Sequence, residues 1–94
     1  MTNYLPIHVE DGWLKISKAQ WTAALEADNP QACEEILQAI AAHVARDGTF
    51  GIFGGGDHDE DTYRSGHRRS EVDDLRAEAE IVRKNKGLQP LPKD

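Results

Sequence analysis

The amino-acid composition changes abruptly after Phe53, and this change limits the part of the chain that can build a hydrophobic core. The segment ending at Phe53 is apolar and aromatic, whereas three glycines follow it and residues 57–61 contain four carboxylates. Unpaired charges are costly to bury, so such a run is expected at the surface. We therefore expect one domain in three parts: a compact α+β core over residues 1–53, a glycine-rich acidic and basic loop over 54–69, and a charged helix with an extended tail over 70–94.

Length and charge narrow the class of protein further. The chain has 94 residues, a net charge of −6 and one cysteine, Cys33, which excludes an internal disulfide and a cysteine-built zinc site. No apolar run has the length of a membrane span, and the first residues lack the features of a signal peptide, so we expect a cytoplasmic protein. Negative charge disfavours direct binding to nucleic acid and suits a partner with a basic surface.

Local signals predict an α+β fold in which a small antiparallel sheet, a hairpin plus a third strand, packs with two helices. Asp11-Gly12 is a strong two-residue turn signal and places a hairpin over residues 4–16, with Pro6 restricting the first strand to an edge or a strand start. Ser17 is expected to cap the first helix, and Asn29-Pro30 to begin the second. The predicted elements are the hairpin 4–16, helices 18–27 and 30–46, and strand 49–53.

A further helix is predicted over residues 71–86. Its acidic residues come early and its basic residues late, as the helix dipole favours, and Gly87 can end it. Its apolar residues, spaced by three and four, form a narrow seam. Such a seam packs on its own domain, binds in a partner's groove or pairs across a homodimer. The seam consists of Val72, Leu75, Ala79 and Val82.

The loop 54–69 carries the residues that we expect to contact a partner. Arginine and tyrosine are favoured at protein interfaces, and three arginines stand near Tyr63 after the acidic run. We expect a binding surface that combines the acidic and the basic halves of the loop. Its candidate residues are Asp57, Asp59, Glu60, Asp61, Tyr63, Arg64, Arg68 and Arg69.

The same loop offers an alternative, a divalent-metal site. Its aspartates alternate as at the first positions of a calcium loop, although the glycine and glutamate that such a loop needs are absent. Two histidines could complete a transition-metal site if the loop folds back. This alternative predicts a metal-binding protein or a metal-assisted hydrolase. Its candidate ligands are Asp57, His58, Asp59, Asp61 and His67.

Other chemistry finds less support in the sequence. Residues 51–56 have the glycine spacing of a phosphate-binding loop but lack its lysine and its serine or threonine, and no dinucleotide-binding pattern is present. Cys33 lies within the apolar stripe of helix 30–46, where an inert core role is expected, and His43 lies beside that stripe, where we expect a residue at the edge of the helix and not a catalyst. We therefore predict no cofactor and no catalytic residue.

These observations together favour a small acidic, non-enzymatic protein-binding module. In size, acidity and single-domain organisation the chain resembles regulators encoded by phages and mobile elements, among them anti-CRISPR proteins. That class resemblance, which no family motif carries, implies inhibition or regulation of a larger host machine that handles nucleic acid. The second alternative, besides the metal site, is a structural subunit that dimerises through helix 71–86.

Overall fold

The computed structural model describes residues 7–54 and 62–92, which form an α+β fold of four strands and three helices. None of these helices is long and apolar enough to cross a membrane. In chain order the elements are β1 (Ile7–Glu10), β2 (Trp13–Ser17), α1 (Lys18–Leu25), α2 (Pro30–Ala45), β3 (Thr49–Phe53), β4 (Thr62–Gly66) and α3 (Arg69–Asn85).

The sheet has the order β1-β2-β3-β4 and is mixed, which corrects the prediction of an antiparallel sheet built from a hairpin and a third strand. β1 and β2 form the predicted hairpin, but β2 and β3 are parallel, and β4 pairs with β3 in antiparallel fashion. β4 lies within the segment expected to be a loop. Its residues show no apolar alternation, and the inward-facing Arg64 pairs with Glu78 of α3 instead of entering the core.

The direction of β3 follows from the length of α2. Sixteen helical residues extend about 24 Å, enough to return the chain from the end of β2 to its beginning. There the His43 imidazole Nε2 hydrogen-bonds the carbonyl oxygen of Gly12 at 3.0 Å, and the backbone N–H of Thr49 donates to the same oxygen at 3.4 Å. β3 therefore starts beside the start of β2, with Trp13 opposite Thr49.

The helix and turn signals of the sequence lie where they were expected. The Ser17 hydroxyl accepts a hydrogen bond from the Gln20 N–H, and the Asn29 side chain accepts one from Gln31 at the start of α2. Asp11 and Gly12 both have positive φ, as a type I′ hairpin turn requires. These caps and this turn are confirmed.

One hydrophobic core lies between the sheet and the helices. Strand residues alternate, so one face of β2 and β3 enters the core while the other does not. α3 contributes to the same core through its predicted seam, although Val82 is only half-buried. The buried apolar residues are Leu14, Ile16, Trp21, Ala24, Cys33, Ile36, Leu37, Ile40, Val44, Phe50, Ile52, Val72, Leu75, Ala79 and Leu91.

Two buried charged side chains fasten α3 to this core. Glu34 of α2 binds the Arg76 guanidinium with two contacts, of 2.6 and 2.9 Å. Arg83 is fully buried and donates to four backbone carbonyls, so that it joins the end of α1 to the C-terminal tail. The accepting carbonyls are those of Leu25, Ala27, Asp28 and Gln89.

Candidate protein-binding surface

The face of the sheet opposite the core carries a group of aromatic and basic side chains. Leu14 and Ile16 point into the core, so Trp13 and Lys15, which alternate with them on β2, lie on the other face. Phe53 lies there for the same reason, because Ile52 faces the core. No helix among residues 7–54 and 62–92 contributes to a core on that side, since all three helices share the single core cluster.

Trp13 and Phe53 contact each other across β2 and β3. Their ring centroids are 5.9 Å apart with the planes tilted by 49°, and the Lys15 ammonium lies 5.5 Å from the Phe53 centroid. The two rings cover Gly51, where an added Cβ would come within 2.6 Å of the Phe53 ring and 3.1 Å of Trp13. Glycine at this position therefore allows the rings to pack close to the backbone of β3.

Tyr63 extends the aromatic group towards β4. The pairing register shifts between Ile52 and Phe53, so Tyr63 is an extra residue in a β-bulge, and it is 43% exposed. The Lys18 ammonium lies 4.8 Å from its ring centroid. We call the group formed by Trp13, Phe53, Tyr63, Lys15 and Lys18 the aromatic surface.

At the far edge of this face, Glu10 lies between two basic groups. Its carboxylate is 3.4 Å from the Lys15 ammonium and 3.5 Å from the His8 imidazole. The hydrogen bond from Lys15, with that cation's charge, holds the pKa of Glu10 below its usual value. The carboxylate therefore stays ionised at neutral pH. The Glu10 side chain is also more than half exposed.

The basic residues predicted to bind a partner lie at the junction of β4 and α3. Arg64 pairs with Glu78, and Arg69 forms a 3.5 Å ion pair with Asp73, so both guanidinium groups already have partners within the chain. Arg68 is exposed and immediately precedes α3. The structure thus places Tyr63 in the aromatic surface, whereas Arg64 and Arg69 pair with residues of α3 and Arg68 directly precedes that helix.

Glu71 fixes the backbone of this junction. Its Oε1 accepts hydrogen bonds from the backbone N–H groups of His67 and Arg68, at 2.9 and 3.0 Å. These two bonds, the one from His67 first, lower the pKa of Glu71. The position of Glu71 also requires the small Gly66, since a Cβ there would lie 2.8 Å from the carboxyl group.

A small cleft of about 180 Å³ opens between β4 and the first turns of α3. Its lining combines apolar and polar side chains, and it is smaller than the pockets of about 300–1,000 Å³ that hold drug-sized ligands. Its lining residues are Phe50, Arg64, Ser65, Glu71, Asp74 and Leu75.

The acidic half of the predicted site lies outside the described residues. This applies to Asp57, His58, Asp59, Glu60 and Asp61, and hence to every candidate metal ligand except the exposed His67. Among the residues that the structure describes, no three His, Cys, Asp or Glu side chains are grouped so that they could hold a metal ion. The metal site therefore stays a prediction.

Cys33, in contrast, lies fully buried in the core, where burial raises the pKa of its thiol to about 11. At neutral pH this side chain is a thiol and not a nucleophilic thiolate.

Sequence reasoning missed the aromatic surface because it did not divide the predicted hairpin over residues 4–16 into its two faces. The signal was present: the Asp11-Gly12 turn fixes where β2 begins, and alternation from Trp13 then separates Trp13 from Leu14. Comparison with protein-family models, curated proteins and solved structures gives no match for this chain.

Proposed function

We propose that this chain is a small, non-enzymatic protein-binding module that contacts its partner through the aromatic surface. The observation that carries the proposal is the contact of Trp13 with Phe53 on the sheet face opposite the core, with Lys15 over the Phe53 ring and Lys18 over the Tyr63 ring. Aromatic side chains offer a large contact area with few rotatable bonds, and they are enriched at the centres of protein interfaces.

Lys18 favours a binding role over simple packing, whereas the Lys15 ammonium is already paired with Glu10. A lysine over a ring keeps its ammonium group available for an external acceptor while its methylene groups cover apolar surface. Lys18 contacts Tyr63 and forms no ion pair with any carboxylate among the described residues. A partner that brings an acceptor to Lys18 and an apolar side chain to the rings would use both.

The partner that we propose is a larger protein with a basic surface. The acidic run 57–61 is joined directly to Thr62 and hence to Tyr63, so the aromatic surface and four carboxylates are neighbours along the chain. Carboxylates that meet a basic patch accelerate association, and salt weakens that attraction. In its more specific form, the proposal is that this chain regulates a machine that handles nucleic acid, as small phage proteins do. The acidic run would then compete with nucleic acid for a groove on that machine.

Affinity capture with matched variants tests the proposal. Tagged wild-type protein and the Tyr63→Ala, Lys18→Glu and Ile81→Ala variants are incubated with lysate of the native cell at low and at high salt. We expect wild type and Ile81→Ala to retain one large partner, because Ile81 is 61% exposed on α3, away from the aromatic surface. Tyr63→Ala should weaken capture by at least about tenfold, as loss of an aromatic hot spot does.

The acidic run is tested separately in the same assay. Replacing its four carboxylates with amides (Asp57→Asn, Asp59→Asn, Glu60→Gln and Asp61→Asn) should remove the salt-sensitive part of the binding. A partner that all these variants capture as well as wild type would refute the proposed surface. A partner lost only with Ile81→Ala would assign binding to α3.

A further inference from the structure

β1 is an edge strand whose outer side is unpaired among the described residues. Its third residue, Val9, is 59% exposed although it pairs with the buried Leu14 and so belongs to the helix-facing side of the sheet. The main contacts of the helices with the sheet are made by β2 and β3. An edge strand with an exposed β-branched residue is a site for pairing with another strand.

The backbone of β1 limits how a second strand can pair with it. The Asp11-Gly12 turn is closed by the pair Glu10 and Trp13, so Glu10 directs its backbone N–H and C=O towards β2. Because the direction of the backbone groups alternates along a strand, the N–H and C=O of His8 also point towards β2, whereas those of Val9 point outward. A new antiparallel strand must therefore form its hydrogen bonds with the groups of Val9.

We propose that β1 pairs with β1 of a second copy of this chain, antiparallel about a twofold axis at Val9. In this register the two Val9 residues exchange both backbone hydrogen bonds, and each His8 stands opposite Glu10 of the other copy. Such non-hydrogen-bonded positions bring side chains closest together. The His8 imidazole N–H can donate there to the carboxylate, which is already ionised and half exposed.

Charge selects this register over its neighbours. A shift of one pairing step in one direction places Glu10 opposite Glu10, which repels, and a shift in the other places His8 opposite His8, which leaves neither imidazole opposite a carboxylate. The segment His8-Val9-Glu10 is thus complementary to itself only when the axis passes through Val9. The occupant of the edge is therefore a second copy and not an arbitrary strand.

The interface is small, because β1 has four residues. Interfaces well below about 1,200 Å² give weak and transient complexes, so we expect a dissociation constant on the order of 10–100 μM. Dimerisation would be visible in sedimentation of the full chain over about 5–500 μM, where the dimer fraction depends on protein concentration.

Two kinds of variant test the pairing. Val9→Pro removes the outward N–H without removing a β1–β2 hydrogen bond, and proline is tolerated on an edge strand in that orientation, so a folded monomer is expected. The charge variants test the same pairing without introducing a proline. The single variant His8→Glu and the double variant His8→Lys/Glu10→Lys should each weaken self-association by about tenfold or more. Mixed in equal amounts, these two charge variants should form a heterodimer, because each glutamate then faces a lysine.

The controls separate this edge from other surfaces. Glu80→Lys also changes the charge, but at an exposed position of α3, and should leave the dimer intact, as should Ile81→Lys. A wild-type chain that remains monomeric at about 500 μM would overturn the proposal, and so would a dimer that survives Val9→Pro and both charge variants. Loss of the dimer with Ile81→Lys would move the interface to α3 and overturn it too. Capture of a partner through Tyr63 is a separate readout and does not bear on this result.

Discussion

Two charged side chains in the interior, Glu34 and Arg83, are stabilised by different means. Glu34 is 3% exposed and is paired with a counter-charge, the Arg76 guanidinium. Arg83 has no exposed surface and is surrounded by carbonyl dipoles, including that of Leu25 at the C-terminal end of α1, where the helix dipole favours a cation. Only the pair of Glu34 with Arg76 includes a group that takes up a proton in acid, the Glu34 carboxylate.

The pairing with Arg76 makes part of the stability depend on pH. The hydrogen bonds from Arg76 hold the pKa of Glu34 below its usual 4.5, despite the opposing effect of burial. The unfolded chain therefore binds more protons near that pH than the folded one. The stabilisation by Glu34 is present above about pH 4.5 and is lost as the pH falls through the lower, folded-state pKa.

Glu34→Gln should accordingly be less stable than wild type at pH 7 and should lose less stability on acidification. Urea denaturation at several values between about pH 6 and pH 3 measures both effects. Glu35→Gln, at the exposed neighbouring position, is the control and should keep the wild-type slope. Parallel curves for Glu34→Gln and wild type would contradict the role given to this pair.

At the scale of elements, the sequence predicted what local chemistry determines. The hairpin, the caps at Ser17 and Asn29 and the helices follow from residues within a few positions of each other. The parallel pairing of β2 and β3 does not, because it depends on how far α2 carries the chain and on the contact of His43 with Gly12. β4 was missed because its one inward-facing side chain is an arginine paired across to α3, which periodicity cannot identify.

The ring positions in the aromatic surface depend on the space left by Gly51 of β3, and Gly51→Ala tests that dependence. The added methyl group would enter the space of the Phe53 ring, which is half-buried and can swing outward. We expect the rings to move and the free energy of unfolding to fall by about 1–2 kcal/mol. Near-ultraviolet circular dichroism reports the ring positions. Ser65→Ala, directly opposite Gly51 on β4, should leave the spectrum unchanged, and an unchanged spectrum for Gly51→Ala would contradict the packing.

At the scale of the whole molecule, the charge-rich second half of the chain belongs to the same core as the first. Val72, Leu75, Ala79 and Leu91 pack into one cluster with residues of α2 and the sheet. The low apolar content of residues 70–94 does not indicate that this segment contributes to the core. A few large apolar residues at the correct spacing are nevertheless enough to bury one side of α3. The candidate site was predictable only near Tyr63, since its other members are brought together by the sheet.

A chain that ends after Gly66 should therefore be unfolded. It would lose three large buried apolar side chains, each worth about 1.5–3 kcal/mol, together with the hydrogen bonds of Arg83. That total is comparable with the whole stability of a small domain, about 5–15 kcal/mol. Far-ultraviolet circular dichroism distinguishes the states. A chain ending at Pro92, which keeps Leu91, should remain folded, whereas a folded 1–66 chain would contradict this account.

The sheet topology also has a kinetic consequence. The two outer pairings, β1 with β2 and β3 with β4, join strands that follow each other directly in the chain, so each can form early. The central pairing of Trp13 with Thr49 must wait until α1 and α2 have brought the chain back, because closing a long loop is entropically unfavourable. The pairing of β2 with β3, which joins the two locally formed halves of the sheet, should thus be the step that limits the rate of folding.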